Sequence, residues 1–271
     1  MTMHWSTLAL AAALCTGAPA ADPPIVVRHD MDDETAFRLG RKYGAGAVEI
    51  VLPRRTAPAE RVPIGMGTLI GERWVLTAAH IAAAISPARP RSGRTGYGRN
   101  VRVNGRDIQV RRIVLHPDWV DMGPYDIALI ELAEPVTNVA PVALYEGRDE
   151  MGRLVTLAGT GIAGTGLTGP TVRDRRLRGA TNRIDRVRED YLAFTFDAPG
   201  SRRATEHEGI SGPGDSGGPA FIERGGVRYV AGVSSRQVSG SIGEGRYGVE
   251  ERYTRVSTFA AWLRGVMERG R

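Results

Sequence analysis

From Ala47 onward the chain alternates between short apolar runs and clusters of turn residues. Ala47–Leu52, Gly67–Ile70, Trp74–Leu76, Val101–Val103, Ile108–Leu115 and Ile127–Leu132 are rich in β-branched or apolar residues, and most are bounded by turn formers. That pattern predicts strands. A second series follows at Leu154–Ala158, Arg183–Val187, Tyr191–Phe196, Ala220–Ile222, Val227–Val233 and Arg252–Val256. Glu134–Pro141, with two prolines, reads as a connector, and residues 86–100 read as a loop. Helical spacing occurs in two places. Residues 33–43 predict a short helix capped by Asp32 or Asp33 and stopped at Gly44. Phe259, Trp262, Leu263 and Val266 predict a C-terminal amphipathic helix with Ser257 or Thr258 as its cap. Two sets of about six evenly spaced short strands, then one helix, predict an all-β fold of two six-stranded β-barrels with a C-terminal α-helix. The expected divisions are 22–46 as an N-terminal extension, 47–135 and 142–256 as the barrels, and 257–271 as the helix. Residues 22–271 then form one domain.

The first residues have a different character. An apolar run, Leu8–Leu14, leads into the small-x-small string Ala18-Pro19-Ala20. This reads as a secretory signal peptide over 1–21, although its start carries His4 and no Lys or Arg. The run is too short to span a bilayer. The one cysteine, Cys15, lies inside it, and Ala13-Leu14 before it suits lipid attachment poorly. The expectation is a secreted or periplasmic protein with no membrane anchor and no disulfide, held together by its core. A chain of about 250 residues buries roughly 70–75% of its unfolded surface, so this is feasible.

Composition narrows the classes. Hydrophobic residues make up 42% and charged residues 24%, an ordinary globular balance. The 35 glycines and 16 prolines suit many turns. The net charge of +6 is almost wholly arginine, since Lys42 is the one lysine. These arginines are scattered, often beside acids as in Arg183–Asp190, and no aromatics interleave with them. That argues against a nucleic-acid platform. Gly159-Thr160-Gly161-Ile162-Ala163-Gly164 matches a dinucleotide fingerprint, but Thr165–Pro170 is a poor helix start, so 159–170 reads as a flexible loop. No His/Cys/acid set has ligand spacing, and no metal or organic cofactor is expected.

Three segments carry chemistry: Trp74-Val75-Leu76-Thr77-Ala78-Ala79-His80, Asp126-Ile127-Ala128-Leu129-Ile130-Glu131-Leu132 and Gly214-Asp215-Ser216-Gly217-Gly218-Pro219. A serine hydroxyl needs a base to take its proton, imidazole titrates near neutrality, and a carboxylate fixes the imidazole tautomer. Together these segments resemble the motif blocks of the chymotrypsin/trypsin serine peptidases, in that family's order. Gly67-Thr68-Leu69-Ile70, Leu115-His116-Pro117-Asp118-Trp119 and Tyr253-Thr254-Arg255-Val256 resemble its framing segments. The likeness covers roughly residues 47–265.

The resemblance implies a chymotrypsin-like fold and hydrolysis of a polypeptide by a monomer. His80, Asp126 and Ser216 would form the triad, with the N–H groups of Gly214 and Ser216 as oxyanion hole. The remaining histidines receive no catalytic role: His116 reads as structural, His207 as a solvated loop residue and His29 as part of the extension. A catalytically silent binding protein of the same fold is the alternative.

Two features depart from the family. Its zymogens free an amine at an Ile-Val-Gly-Gly start, which pairs with the Asp beside the nucleophile, here Asp215. The nearest string is Ile25-Val26-Val27, after Pro24. A processed Ile25 amine, an arginine or a backbone donor are the expected partners of Asp215. The substrate pocket is also altered. Ile210 stands where trypsins carry an acid. Ser234 and Arg236 lie on the expected wall, Arg236 near a position usually kept open by glycine. Glu251 is the acid expected to project into the pocket instead.

Overall fold

The computed structural model describes residues 25–54, 57–86, 99–121 and 123–269. The leader expected over 1–21, with Cys15 inside it, and most of the loop expected over 86–100 lie outside the described residues.

The described chain begins with β1 (Val26–Val27) and α1 (Asp33–Tyr43). α1 forms as its sequence predicts. The Asp32 carboxylate accepts from Thr35 N–H at 2.7 Å, acids occupy the first turn and Arg41 and Lys42 the last. There follow β2 (Ala47–Arg54), β3 (Ala57–Gly71), β4 (Trp74–Thr77), the short helix α2 (Ala79–Ala84), β5 (Asn100–Val103), β6 (Arg106–Leu115) and β7 (Ala128–Leu132). The six strands close in the order β2-β3-β4-β7-β6-β5, antiparallel throughout. Alternation fixes which face turns inward. On β6, Ile108 and Val110 are buried while Arg106, Gln109 and Arg111 face water. β7 is buried along its whole length, and its Glu131 is held by Arg111 and Arg112 at 2.8 and 2.9 Å.

The second half comprises β8 (Ala143–Leu144), β9 (Leu154–Gly159), β10 (Ala163–Thr165), β11 (Gly169–Val172), β12 (Arg178–Arg183), β13 (Arg186–Val187), β14 (Tyr191–Thr195), β15 (Gly209–Ile210), β16 (Pro219–Arg224), β17 (Val227–Val238) and β18 (Glu250–Arg255). The main sheet runs β12-β9-β16-β17-β18-β14-β13, with β8 added parallel to β17. It curls as a barrel, but the ladder stops short of joining β12 to β14. The buried Asn182 side chain spans that seam, donating to Thr195 O at 3.2 Å and Gly209 O at 3.0 Å. The structure is thus a closed six-stranded barrel plus a half-barrel. α3 (Val256–Glu268) packs its buried face of Phe259, Leu263 and Val266 against the apolar core of the first barrel.

Three sequence expectations change. Segment 159–170 is not a free loop: it forms most of the β10–β11 hairpin in a small sheet, β11-β10-β1-β15. Gly164 approaches Gly169 so closely that a Cβ would lie 1.8 Å from its carbonyl oxygen, and this close approach requires the glycine. The single run Arg183–Val187 splits between the end of β12 and β13. Ser257 does not cap α3. Its hydroxyl donates to Glu150 at 2.6 Å, within the buried Glu150–Arg255 ion pair.

The segment before Ala47 is integral to the second half. β1 lies between β10 and β15, with Val26 opposite Gly164 and Ile210. α1 packs on β12 and β9. There the fully buried Arg178 reaches Asp174 at 2.9 Å and Asp33 at 3.5 Å, with its guanidinium 4.0 Å from the Phe37 ring centre. Among the described residues no helix is long and apolar enough to cross a membrane.

Candidate active site

Each candidate side chain is placed by a local backbone device. β4 ends at Thr77, and α2 turns the chain so that Ala79, Ile81, Ala82 and Ala83 are buried while His80 keeps about a third of its side chain exposed. Asp126 precedes β7 and is almost fully buried. His80 Nδ1 lies 2.7 Å from one Asp126 carboxylate oxygen, and the His80 backbone N–H donates to the other at 2.9 Å. Ser235 Oγ donates to the first oxygen at 2.7 Å, and Thr254 Oγ1 donates to the Asp126 carbonyl at 2.8 Å. Burial pushes the Asp126 carboxyl up, but the bonds from His80 and Ser235 outweigh it and hold the group below its ordinary value.

Ser216 sits in a tight turn that packs against the first barrel. Its carbonyl accepts from Met66 N–H at 2.8 Å. Gly217, at φ +82°, donates to Ser234 O, and a Cβ on it would lie 2.2 Å from Thr77 Oγ1. That contact explains the glycine after the serine. Gly214 is also left-handed, at φ +101°. Among the described residues, the N–H groups of Gly214 and Ser216 donate to no protein acceptor, whereas the Asp215 N–H between them is bonded to Gly212 O.

His80, Asp126, Gly214 and Ser216 line one cleft of about 530 Å³ between the two halves. A recess of about 620 Å³ between β8, β17 and α3 is larger, but its walls, including Leu144, Tyr145, Tyr229 and Met267, offer no paired nucleophile and base. Chemistry, not size, selects the first.

Asp215, next to Ser216, is fully buried. Its carboxylate accepts from Gly161 N–H at 2.7 Å and Gly212 N–H at 2.9 Å, with further backbone donors at Ile25 and Thr160. Burial pushes its pKa up to about 6 against these bonds. Of the three expected partners, backbone donors are the ones in place, and Ile25 supplies one of them.

The pocket residues divide. Ile210 does not line the cleft: it pairs with Val26 and is buried in the apolar core of the second half, because alternation along β15 turns it inward. The next residue, Ser211, faces the cleft with Ser234, Arg236 and Glu251. Glu251 is fully buried and accepts from Ser211 N–H at 2.8 Å and from the Ser211 hydroxyl. Burial pushes its pKa up to about 8. Arg236 reaches Gly123 O at 3.3 Å across the cleft.

Sequence reasoning passed over Gln237. Its amide donates to Ser211 O at 2.7 Å and accepts from Gly245 N–H at 2.9 Å, bridging the cleft wall. It likewise gave no role to Ser235 or Thr254, whose bonds to Asp126 span more than a hundred residues. The other described histidines stay out of the cleft. His207 lies 4.0 Å from Glu206, and His29 meets the Tyr247 hydroxyl at 2.7 Å. Among the described residues no group of three or more His, Cys, Asp or Glu is placed to hold a metal ion.

Comparison with known proteins decides the family. The Trypsin family model matches residues 55–263. This chain belongs to the trypsin-like serine peptidase family. It is 29% identical to the complement C1s subcomponent of Bos taurus over 232 residues, which is 76% of this chain and 32% of that protein. It is 30% identical to the complement C1s subcomponent of Rattus norvegicus over the same shares. Serine protease Hayan of Drosophila melanogaster is 29% identical over 74% of this chain and 34% of its own length. The chain thus spans about a third of the length of these relatives. Among solved structures, neuropsin, a serine protease expressed in the limbic system of mouse brain, superposes with a TM-score of 0.59 at 21% identity. That match covers 83% of this chain and 95% of neuropsin, and it establishes the shared chymotrypsin-like fold.

Proposed function

We propose that this trypsin-family chain is a serine endopeptidase that acts through an acyl-enzyme, with Ser216 as nucleophile, His80 as general base and Asp126 as the orienting acid. The observation that carries this reading is the doubly hydrogen-bonded His80–Asp126 pair, which shares a cleft with Ser216. With Nδ1 committed to Asp126, the proton-accepting nitrogen is Nε2. Ser216 Oγ attacks the scissile carbonyl as His80 Nε2 takes its proton. The tetrahedral oxyanion is held by the N–H groups of Gly214 and Ser216, each worth about 3 kcal/mol in the transition state. His80 then gives the proton to the leaving amine, the C–N bond breaks, and an ester to Ser216 remains. A water molecule, deprotonated by His80, cleaves that ester and restores the enzyme.

Glu251 supports a preference for a basic side chain before the scissile bond. It is a fully buried acid on the cleft lining with hydrogen bonds from Ser211; burial holds its proton in the free protein, and a basic side chain entering the cleft would stabilise the charged form and pair with it. The apolar leader at 8–14 and the small-x-small string support export of the mature chain, and the family supports a polypeptide substrate. Peptide hydrolysis by the wild type and by Asp126→Asn tests the core of the reading. The expected loss in kcat is about 10⁴-fold, because the amide no longer holds the working imidazole tautomer. An Asp126→Asn enzyme with wild-type kcat contradicts it.

A further inference from the structure

Asp126 can orient His80 only if its own backbone is held, and that backbone is reached through a strained residue. Tyr125, immediately before it, has φ +60°, in the left-handed region that a bulky L-residue occupies only when its surroundings enforce it. The surroundings are aromatic. The Tyr125 ring stacks on the His116 imidazole at 5.3 Å between centres and 16° between planes, and meets the edge of Phe259 at 5.8 Å and 90°. His116 is in turn held by Phe259 at 5.1 Å and Trp262 at 4.8 Å, both on α3.

His116 grips both neighbours of the acid. Its ring holds Tyr125, and its backbone N–H donates to Ile127 O at 3.1 Å. Ile127 N–H donates back to Tyr125 O at 2.8 Å, closing a three-residue turn with Asp126 at its centre. His116 Nδ1 also accepts from Asp118 N–H at 3.3 Å, which fixes the ring's orientation. Neither His116 nor Tyr125 lines the cleft. Tyr125 is more than a third exposed, so core packing alone does not account for its conformation.

We infer that the His116–Tyr125 stack, clamped by the C-terminal helix, positions Asp126 and so sets the geometry of the Asp126–His80 pair. Both act as positioning residues; neither touches substrate. The inference rests on Asp126 being the orienting acid of the proposed mechanism. The arrangement also gives α3 a role in the site, since Phe259 and Trp262 anchor the stack.

Two readouts test it on the full chain. In steady-state hydrolysis, Tyr125→Ala and His116→Ala are expected to lower kcat about tenfold to a hundredfold with KM nearly unchanged, the signature of a misaimed catalytic group rather than lost binding. Tyr125→Phe keeps the stack and is expected to retain wild-type kcat. The low-field proton resonance of the His80–Asp126 hydrogen bond is expected to broaden or vanish in the alanine variants and to persist in Tyr125→Phe. That resonance needs no turnover. If the wild type hydrolyses nothing, the peptidase reading fails, while loss of the resonance in Tyr125→Ala still supports the positioning role. Unchanged kcat and an intact resonance in Tyr125→Ala overturn the inference, as does a Tyr125→Phe variant impaired as badly as Tyr125→Ala.

Discussion

Three buried carboxyls surround the cleft, and they titrate in opposite senses. Asp126 is held below its ordinary value because hydrogen bonds from His80 and Ser235 outweigh its burial. Asp215 and Glu251 lie above theirs, at about 6 and about 8, because burial outweighs the backbone donors of the one and the Ser211 bonds of the other. A raised carboxyl pKa means that the folded state holds its proton more tightly than the unfolded state. Its contribution to stability is present at low pH and is lost as pH rises to the folded value. For Glu251 that window runs from 4.5 to about 8. The free protein is therefore expected to lose thermal stability as pH rises across this range, and Glu251→Gln is expected to flatten the decline. Asp215 contributes the same sign over the lower part of the window. Melting temperatures between pH 5 and 9 check this, and a Glu251→Gln variant with the wild-type slope contradicts it. At this scale the sequence was most informative for the candidate catalytic residues. The types and order of His80, Asp126 and Ser216 are visible in three short strings. The residues that hold them are not. Ser235 bonds Asp126 across 109 residues of chain, and nothing local to Val233–Arg236 announces that partner. Ile210 was misassigned for a related reason: the strand β15 that turns it inward is two residues long and exists through its pairing with β1.

At the scale of elements, legibility followed side-chain patterning. β6 alternates and α1 carries a cap and a stop, so both are readable from their own residues. β12, Arg178-Gly-Ala-Thr-Asn-Arg, has no apolar pattern, yet all but its last residue are buried. It is held by partners remote in sequence: Asp33 on α1 for Arg178, and the carbonyls of Thr195 and Gly209 for Asn182. The β10–β11 hairpin was hidden because glycine gives no periodicity, and because its partner strand β1 lies far away in the chain. The seam between β12 and β14 gives an element-level prediction. Asn182→Ala removes two hydrogen bonds and leaves two carbonyls in the core without that donor. The expected loss of stability is about 2–3 kcal/mol. Chemical denaturation measures it directly, and a loss below about 0.5 kcal/mol contradicts a side-chain closure of the half-barrel.

The whole molecule is organised around the meeting of its halves. The first barrel contributes His80, Asp126 and one side of the cleft, including Ala84 and Trp119, and the second half contributes Ser216 and most of the remaining lining. The interface is fastened at the site itself. Met66 N–H donates to Ser216 O, Thr254 and Ser235 donate to Asp126, and Thr160 donates to Glu49 at 2.8 Å. The same bonds that join the halves therefore fix the relative positions of Asp126, His80 and Ser216. The overall division into two strand series and a helix was legible from spacing alone, whereas the incorporation of residues 25–46 into the second half was not. The string Ile25-Val26-Val27 is too short to reveal that β1 completes a sheet with β10 and β15. The central claim is that this assembly activates Ser216. Treatment with a fluorophosphonate, followed by peptide mass analysis, tests that most directly. The account predicts one phosphonyl adduct per chain, on Ser216, absent from Ser216→Ala and strongly slowed in His80→Ala. A folded wild-type protein that takes up no adduct, or one labelled elsewhere with Ser216 unmodified, contradicts it.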